Sequence, residues 1–196
     1  YQQFDLKGFI DRTACSLDFY SFHIYDYMQW DSAINDFSGR VSSGLPSEGV
    51  LDLIENYTVN TYGKPVDLVF SEHGGYISQN QEAALDYVAT NYFAPPHSGF
   101  AYEMKRRSVS EFLAVSSEIA NTMTFMNNPH VVRKAVPFIL LESFSWDPRY
   151  YSTLLVATNF NNKNIWVEST YVNFYKFFAG VTGRRVKTLW DDPDIQ

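Results

Sequence analysis

The 196-residue sequence holds one cysteine, Cys15, which excludes an intrachain disulfide. No apolar run approaches the ~18 residues that a membrane-spanning helix needs. Positive charge is scarce: 15 Lys and Arg stand against 22 Asp and Glu, for a formal net charge of −7. Nucleic-acid binding needs cations clustered along a face. The only compact basic cluster is Lys105-Arg106-Arg107, which reads as a solvated turn ahead of a helix. There is no HExxH motif and no paired HxH, the spacings that commonly gather metal ligands. Low-complexity tracts and internal repeats are also missing. The opening YQQFDLKGF has no initiator Met and no signal-peptide pattern. The closing DDPDIQ reads as a connection, so a piece of a longer protein is expected.

Apolar residues are plentiful. They make up 45% of the sequence, and aromatics alone 17%, enough to fill a sizeable core and to argue against disorder. Aromatics also stack on flat ligand faces, so their positions along the chain matter more than their number.

The pattern alternates helices and strands. Residues 4–12 read as the tail of a helix, and LDFYSFHIY, Leu17 to Tyr25, as a strand. A Ser- and Gly-rich loop is expected through Gly44. A helix follows from Leu45, with Val50, Leu51, Ile54 and Tyr57 at helical spacing, stopped by Gly63 and Pro65. Val66 to Glu72 is a second strand. A long loop is expected from Gly74 to Arg107, with a short helix at 81–92. The capping box Ser108-Val109-Ser110-Glu111 opens a helix reaching about Met126. Pro137 to Ser143 reads as a third strand, the Asn-rich stretch around 159–164 as a loop, and 168–179 as a last helix.

Strands that are apolar on both faces and separated by helices predict an α/β fold with a parallel sheet. A doubly wound sheet and a (β/α) barrel both fit. Three strands are too few for a complete eight-stranded barrel, so on the barrel reading this is about its C-terminal half.

In either architecture a site forms at the C-terminal ends of the strands. Those ends read His23-Ile24-Tyr25, Ser71-Glu72-His73 and Glu142-Ser143-Phe144-Ser145-Trp146. Strand alternation puts Ser21, His23 and Tyr25 on one face, and Tyr20, Phe22 and Ile24 under helices. The same rule groups Glu72 with Leu68 and Phe70, and His73 with Val69 and Ser71. Each residue also has a structural reading. His23 suits a hydrogen-bonded core histidine, Tyr25 packing, Trp146 a cap on the core, Glu72 an ion pair, and Gly74-Gly75 a turn or room for a ligand. An unpaired carboxylate at a buried strand end is costly, so Glu72 is the leading candidate. A metal site from His23, Glu72 and His73 is the competing chemistry, weakened by the opposed parity of the last two. A carboxylate, flanking donors and an aromatic platform suit sugar chemistry, with Tyr25 or His23 donating to Glu72 and Trp146 stacking on a ring.

The segments DFYSFHIYDY, VFSEHGGY, PHVVRKAVPFILLESFSWD and DDPDIQ, in this order between Asp18 and Gln196, resemble glycoside hydrolase family 86, the β-agarases and β-porphyranases. The resemblance implies a partial (β/α)8 TIM barrel holding about strands six to eight. It implies a retaining endo-hydrolase of red-algal galactan that needs no cofactor and no metal. Glu72 matches the nucleophile, with His23, Tyr25, His73, Tyr76 and Trp146 as substrate contacts and Ser21 and Glu142 behind them. Residues 1–186 would be barrel and 187–196 the entry to a following β-sandwich domain. The acid/base glutamate and strands one to five lie outside this chain, so the fragment alone is expected to be inactive. Its partners would be agar- or porphyran-type polysaccharide and the rest of its parent chain, not nucleic acid or a membrane. Export, to the medium or cell surface, follows from the size of the substrate. A non-catalytic polysaccharide-binding protein is the alternative.

Overall fold

Three strands run parallel, side by side. The computed structural model describes residues 5–13, 16–40, 44–77, 82–138, 153–159 and 162–183. Strand β1 (Phe19–Asp31) pairs with the next parallel strand (Asp67–Ile77), which pairs in parallel with a third (Val132–Pro137). A short strand, β2 (Asp36–Arg40), returns antiparallel along the far end of β1. With the parallel strands numbered in chain order as β3 and β4, the sheet order is β2-β1-β3-β4.

Helices make the crossovers, as parallel pairing requires. Helix α1 (Leu6–Thr13) leads into β1, and α2 (Leu45–Tyr62) joins β1 and β2 to β3. Pro46 sits in the first turn of α2, and Gly63 ends it at φ 76, its N–H bonded to the Val59 carbonyl at 2.9 Å. Only a residue at ease in the left-handed region closes a helix this way at no cost. Between β3 and β4 lie α3 (Glu82–Asn91) and the 29-residue α4 (Gly99–Asn127). A second, two-stranded sheet, β5 (Leu155–Asn159) with β6 (Asn162–Glu168), precedes α5 (Val172–Ala179).

The core forms on one face of the parallel sheet. Tyr20, Leu68 and Phe70 from the strands meet Ile10 of α1, Leu51 and Ile54 of α2 and Phe125 of α4, all buried. Phe70 stacks on Phe125 with ring centroids 4.2 Å apart. This is the helix-covered face expected for Tyr20, Phe22 and Ile24. Ser21 and His23 lie on the other face and are exposed.

Several expectations are corrected. The loop expected through Gly44 contains a hairpin, because β1 continues to Asp31 and pairs Tyr27 with Arg40 and Asp31 with Asp36. Helix α4 begins at Gly99, nine residues before the capping box. Ser108 caps nothing: its hydroxyl donates to the Met104 carbonyl one turn back, at 2.9 Å. The packing of α3 on α4 explains the extension. Arg106 is buried there between Asp86 (3.1 Å) and Glu103 (2.9 Å), and Arg107 is buried near Glu111 (3.8 Å). The basic cluster is therefore interior to a helix, not a solvated turn. Strand β4 starts at Val132, five residues earlier than expected, and residues 139–143 of the expected strand lie outside the described residues. Arg133 and Lys134 hide β4 from a hydropathy reading, although Arg133 spends its charge on Asp67 at 2.8 Å. The stretch expected as an Asn-rich loop is largely strand: Asn159 ends β5 and Asn162 and Asn164 lie in β6.

Candidate functional site

The pairing of β1 with β3 slips once. Phe22 faces Phe70, but His23 faces Glu72, so Ser71 is an extra residue in β3. A β-bulge of this kind breaks the alternation of faces and re-aims every side chain beyond it. The packing confirms the slip. Phe70 and His73, three residues apart, both touch the Phe125 ring, stacked at 4.2 Å and edge-on at 5.1 Å.

The bulge reverses the two faces expected for Glu72 and His73. Glu72 joins Ser21, His23 and Tyr25. Tyr25 Oη donates to Glu72 Oε2 at 2.7 Å, and His23 Nδ1 lies 3.2 Å from the same oxygen. Ser21 bonds to the bulged Ser71 hydroxyl at 2.8 Å. Tyr25, expected as a donor to Glu72, is thus brought onto it, with His23 beside it. The Glu72 side chain remains 31% exposed, open enough for a reactant to reach.

His73 goes the other way. It is 1% exposed beneath α4, and burial pushes its imidazole down to about 4. It borders a cavity of about 390 Å³ between Phe125, Ala135, Phe174 and Phe178 on the helix side. Its side chain lies on the face of the sheet away from Glu72, under α4. Tyr76 continues β3 opposite Tyr27. Glu142 and Trp146 lie outside the described residues.

Gly74 and Gly75 are neither a turn nor room for a ligand. Both are buried within β3, against α4. A Cβ on Gly75 would sit 2.9 Å from Ser117 Cβ, and one on Gly74 would sit 3.1 Å from Glu118 Oε1. The glycines let a helix lie directly on the strand that carries Glu72.

Behind them is a buried polar layer that strand-end reasoning missed. Ser117 Oγ contacts Asp26 Oδ2 at 2.7 Å and the Gly74 carbonyl at 3.1 Å. Glu118, fully buried, is hydrogen-bonded through Oε1 to Tyr171 Oη, and burial pushes its carboxyl well above the usual range. A signal for this layer exists in the sequence. Ser110, Ala114, Ser117 and Asn121 recur at helical spacing, marking a small, polar stripe where a core helix would carry large apolar residues. Among the described residues no group of three or more His, Cys, Asp or Glu side chains converges as a metal site would require. No helix among them is long and apolar enough to cross a membrane.

No protein-family model matches the chain. Curated proteins do. It is 28% identical over 208 residues to β-agarase AgaO of Microbulbifer thermotolerans, covering 97% of this chain and 15% of that protein. It is 26% identical to β-porphyranase A of Phocaeicola plebeius and 26% identical to a funoran endo-β-hydrolase of Wenyingzhuangia aestuarii, covering 24% and 23% of them. Two solved structures share the fold. A wild-type family 86 glycoside hydrolase in complex with neoagarooctaose superposes with a TM-score of 0.63 at 24% identity, over 96% of this chain and 27% of that one. A β-porphyranase of glycoside hydrolase family 86 from the gut bacterium Bacteroides plebeius gives 0.61 at 24% identity, over 97% and 29%. In sequence and in fold, along nearly its whole length, the chain resembles the agarases and porphyranases of glycoside hydrolase family 86, of which it spans about a third or less.

Proposed function

We propose that this chain is the C-terminal half of the (β/α)8 barrel of a retaining endo-glycoside hydrolase acting on red-algal galactan, with Glu72 as its nucleophile. On this reading β1, β3 and β4 are strands six, seven and eight. Residues 1–186 belong to the barrel and 187–196 lead to a β-sandwich domain. The remainder of the parent chain supplies strands one to five, beginning with a partner for the edge of β4, which is unpaired among the described residues. The enzyme is secreted or held at the cell surface, where its polymeric substrate is.

The observation that carries the proposal is the bulge at Ser71. It turns a carboxylate out of the apolar layer onto the face where Tyr25 and His23 meet one of its oxygens. Among the described residues no partner falls on Oε1. Two neighbours on Oε2 hold the group in one orientation, and Oε1 is the oxygen that attacks. Attack forms a bond from Oε1 to the anomeric carbon while the glycosidic C–O bond breaks. The departing sugar oxygen takes its proton from the acid/base residue of the missing half. That residue then accepts a proton from water as water displaces Glu72. The carboxyl pair of a retaining enzyme stands about 5–5.5 Å apart, so the partner must reach across the same strand ends.

Agarose, porphyran and funoran, the substrates in the relatives' names, differ in sulfation and in the anhydro bridge. The buried basic cluster on α4 does not choose among them, because Arg106 and Arg107 are already committed to carboxylates. The deciding test is Glu72→Gln in the full-length parent. Turnover is expected to fall by at least 10³-fold, with binding to the polysaccharide kept, since the nucleophile makes the covalent bond. Near-normal turnover would refute the role, and binding without any dependence on Glu72 would favour a non-catalytic polysaccharide-binding protein.

A further inference from the structure

The buried polar layer reaches Glu72 by a continuous path. Tyr171, just ahead of α5, is fully buried and places its hydroxyl against both Glu118 Oε1 and the Phe138 carbonyl, the latter at 3.4 Å. Phe138 follows β4, and its N–H donates to the His73 carbonyl at 3.0 Å, one residue past Glu72. The Phe138 ring stands edge-on to Tyr25, with centroids 6.1 Å apart at 88°. Tyr25 in turn donates to Glu72. Glu118 also rests against the β3 backbone at Gly74.

We propose that Tyr171 and Glu118 are positioning residues that act through Phe138 to hold Tyr25 over Glu72. The proposal rests on the nucleophile role of Glu72. A tyrosine hydroxyl has one hydrogen and here meets two acceptors. Among the described residues Glu118 Oε2 has no hydrogen-bond partner, and a carboxyl so buried is held as the neutral acid. The acid then donates from its carboxyl to Tyr171 Oη, and Tyr171 gives its own hydrogen to the Phe138 carbonyl. Every hydrogen is used. The end of β4 is fixed from behind the sheet, and the Phe138 ring with it.

The test is a double-mutant cycle in the full-length parent, on the galactan it cleaves. Tyr171→Phe should lower kcat roughly fivefold with KM unchanged, the rate equivalent of about one neutral hydrogen bond. In a Tyr25→Phe background the same change should cost less than about twofold, because its target is already gone. Glu118→Leu should behave like Tyr171→Phe, and Glu118→Gln, which restores a donor, should recover most of that loss. Additive losses in the cycle, a loss expressed wholly in KM, or an unaltered kcat in Tyr171→Phe would overturn the proposal. If Tyr171→Phe does not fold, the comparison of Glu118→Gln with Glu118→Leu decides by the same criteria. A Glu72→Gln control run alongside separates the cases. If it keeps its turnover, the nucleophile reading has failed and this proposal with it. If it is dead and the cycle is additive, only the positioning role is lost.

Discussion

Acid should loosen this fold through His73, and replacing that residue should remove the effect. The imidazole is 1% exposed, edge-on to Phe125, and among the described residues Nδ1 has no hydrogen-bond partner. Its pKa is lowered from 6.5 to about 4 by burial alone. The unfolded chain therefore takes up a proton below pH 6.5 that the native chain refuses until about pH 4. The stability that His73 contributes is complete above pH 6.5, drains away as pH falls, and is fully lost below about 4. A gap of about 2.5 pH units corresponds to about 3 kcal/mol. Glu118 works in the opposite direction. Its raised pKa keeps a proton on the native state above 4.5 that the unfolded chain has released, so its contribution declines as pH rises. The two slopes partly cancel in the parent chain. The diagnostic quantity is the difference between wild type and His73→Leu, which share Glu118. Urea unfolding at low protein concentration, followed by circular dichroism between pH 7.5 and 4, should show that difference changing by about 3 kcal/mol in favour of the variant at acid pH. A difference that stays constant across this range would refute the burial argument.

Three further outcomes follow from packing and completeness. Gly75→Ala should destabilise by about 1–3 kcal/mol, because its Cβ would meet Ser117 Cβ at 2.9 Å and the Leu113 carbonyl at 3.3 Å. Gly49→Ala, in α2 with nothing within 4 Å of the new methyl, should stabilise by about 0.5–1 kcal/mol, and urea midpoints measure both. The purified 196-residue chain should release no reducing ends from agarose or porphyran, since the proposed acid/base lies outside it; robust cleavage would sink that expectation.

The sheet and its helices were largely legible because their signals are local. The spacing of Val50, Leu51 and Ile54, the stop at Gly63 and the apolar run at Val66 each act within a few residues, and each held. The misses came from contacts distant in sequence. The capping box at Ser108 was overridden because α3 packs on α4 and swallows Arg106. Strand β4 was hidden because Arg133 answers Asp67, 66 residues earlier. At the candidate site, the hydrogen bond from Tyr25 to Glu72 was legible from residue type and strand end, and His23 lies beside the same oxygen. The faces of Glu72 and His73 were not, because a bulge is a property of pairing between strands. Strict alternation has no means of marking Ser71 as the residue out of step.

That one residue also separates two demands on the same strand. Up to Phe70 the even-numbered residues of β3 answer to the core; beyond Ser71 the odd-numbered His73 does, and Glu72 faces the other way. Ser71 acts as a change of reading frame between them. A one-residue deletion there would restore plain alternation and leave Glu72 opposite His23 and His73 opposite Ile24, each on its present face. Flattening the bulge while keeping Ser71 would do the reverse: it would drive the carboxylate into the helix layer and turn the imidazole out, with the composition of the strand untouched.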